Sequence, residues 1–299
     1  MRENLITLIG RGKTKLISES ILCSHCLQSH SEPAELLYDN VLSHFLDSKE
    51  IVCGEIIVPL SKIIPEVVSL SVPIITDFEV YNVIGYGGFA QVFKGRLNNQ
   101  LIAIKQLKLK PGDNMHSKFE EFRHEVFMMG DLDHPNVVKL HGITLKPFQM
   151  IMEFVPLGNL NSCLMNPDMD ELLSWEVRLK IAKEIAYGMR YLHSHNPPIV
   201  HRDLRSPNIF ISSLDPTAKT HAKVADFGLA NYSMPVLFEM LPTWQWLAPE
   251  VINPLSKSYD ERSDIYSYGI VLWEIASRSH PFAEFEQFIT RSVTIFEEE

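Results

Sequence analysis

The chain has 299 residues, 45% of them hydrophobic and 21% charged, and a formal net charge of −10. This is the composition of an ordinary core-forming protein with room for two domains, or for one two-lobed domain plus an appendage. The acidic balance argues against a nucleic-acid surface as its main business, and no apolar run approaches the roughly 20 residues that span a bilayer.

Four cysteines (Cys23, Cys26, Cys53, Cys163) are too few and too scattered for a disulfide framework. The N-terminus lacks a cationic stretch, apolar core and small-residue cleavage site in succession. A reducing, cytoplasmic compartment is expected.

Residues 1–75 alternate short β-type runs ("LITLIG", "KLISESIL", "EIVCGEIIVPL") with polar breaks, and form a small β-rich segment. Two patterns there imitate chemistry. "TLIGRGKT" ends like a phosphate loop, but Thr7 occupies the first glycine position and no helix pattern follows, so a basic hairpin turn explains it. "CSHC" has zinc-ligand spacing at Cys23 and Cys26, with His30, His44 and Cys53 as conceivable completions. Without a second clean pair, buried thiols in a small β-domain are the favoured reading.

From Phe78 the texture changes. "FEVYNVIGYGGFAQVFKGRLNNQLIAIKQL" contains three strand-like runs with turns at a glycine cluster and at "LNNQ", an antiparallel meander. Ser117 and Glu120 have capping-box spacing, and the helix after them places Phe119, Phe122, Val126 and Met129 on one face. "VVKLHGI" and "QMIMEFV" read as two more strands. Ser174 is an N-cap for a helix whose Leu179, Ala182, Ile185, Ala186, Met189 and Leu192 repeat at three and four. A last strong helix lies in "SDIYSYGIVLWEIAS", opened by Asp264. A β-rich half followed by a helical half predicts a two-lobed α+β fold, divided at residues 76–154 and 155–299.

Several constellations carry chemistry. Gly85, Gly87 and Gly88 in "GYGGFAQV" let a backbone approach an anion, although Ala90 stands where a strict G-x-G-x-x-G wants its third glycine. Lys105 ends the third strand, and Glu125 on the first helix is placed to pair with its ammonium. The strongest pattern is "HRDLRSPN", with Asp203 and Asn208, followed 18 residues later by Asp226 in "VADFGLA". An amide and a carboxylate from separate segments suit Mg²⁺, which wants a few hard oxygens beside phosphate and water. Asp203 is then left to accept or orient a hydroxyl proton. "WQWLAPE" closes the set at Glu250.

With these elements in order and suitably spaced, the stretch from about Phe78 to Phe285 resembles a protein kinase. "EFRHEVFMMGDLDHPNVVKL", "MEFVPLGNL" and "NPPIVHRDLRSPNIF" are similar to the Roco kinases of the tyrosine-kinase-like group. The resemblance implies ATP and Mg²⁺ as cofactors. It makes Asp203 the catalytic base, Lys105 the contact to the α- and β-phosphates, oriented by Glu125, and Asn208 and Asp226 the metal ligands. Ile84, Gly85, Tyr86, Gly87, Gly88 and Phe89 would cover the phosphates. Val92 and Ala103 would sandwich the adenine from above and Phe210 from below. Met152 would be the gatekeeper, with Glu153 and Phe154 entering the hinge. Arg205, where many serine/threonine kinases carry lysine, would reach the γ-phosphate.

Thr243, three residues before Trp246, favours a protein substrate with Ser/Thr acceptors. Tyr232 and Ser233 are candidate phosphorylation sites. The first 75 residues resemble the end of a COR domain, and the family suggests dimerisation through regions mostly outside this stretch. A kinase C-lobe continues well beyond "HPFAEFEQFI", so a truncated C-lobe is expected, and an inactive kinase-like scaffold or nucleotide-binding fragment is the alternative to an active enzyme.

Overall fold

The computed structural model describes residues 50–53, 56–59, 72–86, 90–108, 115–145, 147–232, 244–252 and 259–283. The chain forms two compact units, Met1–Leu132 with Lys139–Phe154, and Asp133–Val138 with Val155–Glu299. In the first unit the run around Cys53 forms a hairpin of β1 (Glu50–Cys53) and β2 (Ile56–Pro59). The cysteine and histidine candidates before residue 50, and the phosphate-loop imitation at Thr7–Thr14, lie outside the described residues. So does the side chain of Cys53.

The meander is as the alternation predicts. β3 (Glu79–Tyr86), β4 (Ala90–Leu97) and β5 (Gln100–Leu107) join β6 (Leu140–Leu145) and β7 (Phe148–Glu153) in one antiparallel sheet of order β3-β4-β5-β7-β6. Asn98 and Asn99 turn β4 into β5 with φ of 47° and 65°. Asparagine tolerates this left-handed conformation, and such turns match the twist of paired strands. Cross-strand partners share a face. Val92 therefore stands beside Lys105, and Ala103 beside Met152, on one face of the sheet. On the other face Ile102, Ile104 and Ile151 are fully buried under Ile75, Phe78, Phe93 and Leu97.

Helix α1 (Met115–Met129) buries Phe122, Val126 and Met129, the expected stripe, and Phe122 packs 5.3 Å from the ring of Phe148. The capping box does not form: Ser117 is the third residue of the helix and so cannot cap its first turn. The side chains of Phe119 and Glu120 lie outside the described residues.

The second unit is mainly helical. Asn159 caps α2 (Leu160–Met165), and Ser174 caps α3 (Trp175–His193) by accepting from the Val177 amide at 3.4 Å. The buried stripe of α3 is Val177, Ile181, Ala182, Ile185, Gly188, Met189 and Leu192. Leu179 departs from the expectation at 64% exposure. Residues two apart on a helix point about 200° away from each other, so a face through Val177 and Ile181 turns Leu179 outward. Helices α4 (Pro249–Ile252) and α5 (Glu261–Ser277) follow in the same unit, and Asp260, not Asp264, caps α5 by accepting from the Arg262 amide.

Gly188 is where α3 meets the connection at Asn136. A Cβ there would lie 2.7 Å from the Asn136 carbonyl oxygen and 3.2 Å from Val224 Cγ2. Gly188→Ala is therefore expected to lower stability by about 1–3 kcal/mol through overpacking. Urea unfolding tests this, and an unchanged midpoint would contradict the contact.

Candidate active site

In the first unit, the end of β5 presents Lys105 to α1. Its Nζ lies 2.6 Å from Glu125 Oε1, with 17% and 7% of the two side chains exposed. The pair is specific because strand register fixes one partner and a packed helix face the other. Val92 stands directly across β4 and Met150 directly across β7 from this lysine. One step along, Ala103 faces Met152, so four of the nucleotide-site candidates share one face of the sheet. Glu153 donates its backbone N–H to the Lys139 carbonyl at 2.9 Å, and Lys94 lies 4.8 Å above the Phe154 ring. Gly85 pairs with Val92, while Ile84 and Tyr86 are exposed on β3. Gly87, Gly88 and Phe89 lie outside the described residues.

In the second unit a loop between two short strand pairs holds the polar stretch. β8 (Ile199–Val200) pairs with β11 (Asn231–Tyr232), and β9 (Ile209–Ile211) pairs with β10 (Ala222–Val224). The antiparallel register Val224↔Ile209 brings the start of β9 beside the end of β10, and the Ala225 amide donates to the Asn208 carbonyl at 2.9 Å. Asn208 and Asp226 thereby become neighbours although 18 residues apart.

Asp203 is held at both carboxylate oxygens. Arg205 Nε donates at 3.0 and 3.1 Å, and Asn208 Nδ2 at 2.7 Å, with a second Asn208 bond to the Asp203 carbonyl at 2.8 Å. Asn208 thus commits its amide nitrogen to Asp203, which leaves its amide oxygen as the atom a hard cation would take. Asp226 has φ of 67° and an exposed position. Among the described residues no cluster of three or more His, Cys, Asp or Glu side chains could hold a metal. A divalent ion here would be held by these two protein oxygens and completed by phosphate and water, which fits Mg²⁺. Phe210, between them on β9, is half-buried and bridges to Asn159.

The loop is braced from beneath. His201 is fully buried; its Nε2 donates to the Ala225 carbonyl at 3.0 Å and its Nδ1 accepts from the Asp203 amide at 3.3 Å, which fixes one neutral tautomer. The Phe227 ring packs 5.2 Å away. Asp264 accepts from the backbone amides of His201 at 2.8 Å and Arg202 at 2.9 Å, and His193 Nε2 stands 2.9 Å from the same carboxylate. Arg202 has φ of 66°, a costly conformation for a side-chain-bearing residue that these bonds enforce. Tyr259 donates its hydroxyl to the Arg202 carbonyl at 2.8 Å, and burial pushes that phenol well above its ordinary pKa, so it stays a donor.

Four of these contributors escape sequence reasoning: His193, Tyr259, Glu274 and Trp246. Glu274 left a trace. It is a charged residue at three- and seven-residue spacing from Val271 and Ser267, on the buried stripe of α5. It is 0% exposed; its Oε1 accepts from Ser206 Oγ at 2.5 Å and its Oε2 from Trp246 Nε1 at 2.7 Å. Burial pushes its carboxyl above the ordinary 4.5. The native state therefore binds this proton more tightly than the unfolded chain. The group's favourable contribution is complete below about 4.5 and is lost as pH rises through the raised native value. Relative to the parent, Glu274→Gln is expected to gain in unfolding midpoint as pH rises across that window. A midpoint difference independent of pH would contradict the assignment.

Of the remaining candidates, Tyr232 contributes its backbone to β11, and its side chain lies outside the described residues, as do Ser233 and Thr243. Glu250 is the second residue of α4 and accepts from Ser263 Oγ at 3.4 Å. No helix among the described residues is long and apolar enough to cross a membrane.

Compared with known proteins, residues 78–294 match the family described as protein tyrosine and serine/threonine kinase. Three similar proteins come from Dictyostelium discoideum. The chain is 35% identical over 317 residues to "Probable serine/threonine-protein kinase qkgA", covering 95% of this chain and 20% of the relative. It is 38% identical over 286 residues to "Probable serine/threonine-protein kinase roco11", covering 91% and 19%. To "Probable serine/threonine-protein kinase roco6" it is 39% identical over 216 residues, covering 70% and 10%. The chain thus spans a fifth or less of the length of these relatives.

Proposed function

The chain belongs to the protein tyrosine and serine/threonine kinase family, with a Roco-like kinase domain, and on that premise we propose that it transfers the γ-phosphate of Mg-ATP to serine or threonine hydroxyls of a protein substrate. The observation that carries the reading is the Asp203 carboxylate, fixed by Arg205 Nε and Asn208 Nδ2 in a loop braced by Asp264. A carboxylate so held suits a base that accepts or orients the proton of an acceptor hydroxyl.

Lys105, held by Glu125, supplies a fixed positive charge for the α- and β-phosphates. Val92, Ala103 and Met152 offer an apolar surface to the adenine, and the Glu153–Phe154 backbone offers hinge hydrogen bonds. Phe210 offers an aromatic side chain as a further adenine contact. Residues 84–89 cover the phosphates. Asn208 and Asp226 hold Mg²⁺, which when bound neutralises phosphate charge and orients the transferring group. Arg205 donates to Asp203 and supplies a guanidinium for the γ-phosphate. No covalent enzyme intermediate is required; positioning and charge stabilisation account for the rate.

The acceptor assignment draws support from the names of the relatives and from Thr243. Phosphoamino-acid analysis of the labelled product tests it. Phosphoserine and phosphothreonine are expected, and phosphotyrosine alone would overturn the assignment.

A further inference from the structure

We propose that Glu274 is a positioning residue of the metal–nucleotide site, joining the loop that carries Asn208 to the turn that carries Trp246, so that the metal-binding geometry depends on the seating of the segment before Glu250. The inference rests on the kinase reading above for the identity of the metal site.

The cost of this carboxylate shows that packing is not its purpose. It is 0% exposed in α5, and among the described residues no Lys or Arg side chain pairs with it. An ionised group in such a place opposes folding, and an apolar residue of similar volume would serve the core better. What it supplies is acceptors. Ser206 offers both its hydroxyl and its backbone N–H, and Trp246 offers its indole N–H.

Each partner is itself rigidly tied to something that matters. Ser206 opens the three-residue turn Ser206–Asn208, in which Pro207 fixes the backbone and the Asn208 amide bonds the Arg205 carbonyl at 2.9 Å. A displacement of Ser206 is therefore transmitted within one turn to Asn208, whose side chain also holds Asp203. Trp246 ends the turn Trp244–Trp246, is 5% exposed, and accepts Ser267 Oγ at its carbonyl at 2.7 Å. Leu247, Ala248 and Val251 continue from it into a buried cluster with Tyr259, the residue that bonds the Arg202 carbonyl. Among the described residues, Glu274 is thus the one side chain that hydrogen-bonds directly to both turns. Loss of the link should loosen Asn208 toward the metal without touching the groups that take the nucleotide base.

The test is a metal titration of fluorescent ATP analogue (mant-ATP) binding by the purified chain. It compares the parent with Ser206→Ala, Glu274→Leu, Glu274→Gln and Trp246→Phe, each with its melting temperature. Ser206→Ala and Glu274→Leu are expected to raise the Mg²⁺ concentration for half-maximal binding about 10-fold, as outer partners of metal ligands do, while metal-free affinity for mant-ATP stays at the parent value. Trp246→Phe shifts the titration in the same direction by less. Glu274→Gln keeps an acceptor for Trp246 and an N–H for the Ser206 hydroxyl, so it recovers most of the metal dependence lost in Glu274→Leu. The Ser206→Ala, Glu274→Leu double variant should be no worse than Glu274→Leu alone.

Variants that melt lower but keep the parent metal titration would assign Glu274 a structural role only and overturn the proposal. Equal losses with and without metal would overturn it too. A parent that binds metal and mant-ATP but transfers no phosphate would remove the proposed activity and leave this titration to decide the positioning role. A parent that binds no nucleotide would remove both.

Discussion

Asp203→Asn is expected to lower kcat by about 10²–10⁴-fold, the range lost when a positioned proton acceptor is removed, with the KM for ATP changed little. The substitution preserves shape and retains one oxygen for Arg205 Nε or Asn208 Nδ2, the two donors that hold the carboxylate. It removes the negative charge and basicity that would receive or orient the acceptor proton. Steady-state kinetics with a Ser/Thr peptide read the split directly. Equal loss of ATP affinity would mean that Asp203 holds the fold or the nucleotide and not the reacting hydroxyl.

Lys105→Met is the second large effect. Its ammonium stands 2.6 Å from Glu125 Oε1, in a pair of which little is exposed. Removing a preorganised cation from a site of charged phosphates costs about 10²–10³-fold in rate, so kcat/KM for ATP should fall by that order. Glu125→Gln should lose less, because the amide oxygen still accepts from the lysine and the cation itself remains. If Glu125→Gln lost as much as Lys105→Met, the glutamate would have a role beyond orienting the lysine. A Lys105→Met chain with parent kinetics would remove the lysine from the site altogether.

Much of the fold was legible because its periodicities are strong. Alternation predicted the meander, and asparagines at the β4–β5 turn supplied the left-handed residues it needs. The spacing of Asp203, Asn208 and Asp226 was legible as a motif, and the register of β9 on β10 gives the physical reason for it. Where the reading failed, the sequence offered two compatible answers. Helix α3 has apolar residues on more than one side, so Leu179 could be assigned to a stripe that in fact runs through Val177 and Ile181. Ser117 has the right neighbour for a capping box, but α1 begins two residues earlier at Met115.

Asp264 shows the limit from the other side. A carboxylate near a helix start reads as a cap. Its burial at 1% and its bonds to the His201 and Arg202 amides are tertiary facts without a local signature. The capping position that the sequence reading gave to Asp264 is taken by Asp260. Glu274 belongs to the same class: its partners Ser206 and Trp246 are 68 and 28 residues away. Only a charge on an otherwise buried helical face marks such residues beforehand.

The most direct measurement is Mg-ATP-dependent incorporation of labelled phosphate, into the purified chain and into a Ser/Thr peptide, with Asp203→Asn beside it. The account predicts incorporation that requires Mg²⁺ and disappears in the variant. Soluble, monodisperse parent chain that binds Mg-ATP and transfers no phosphate would contradict it.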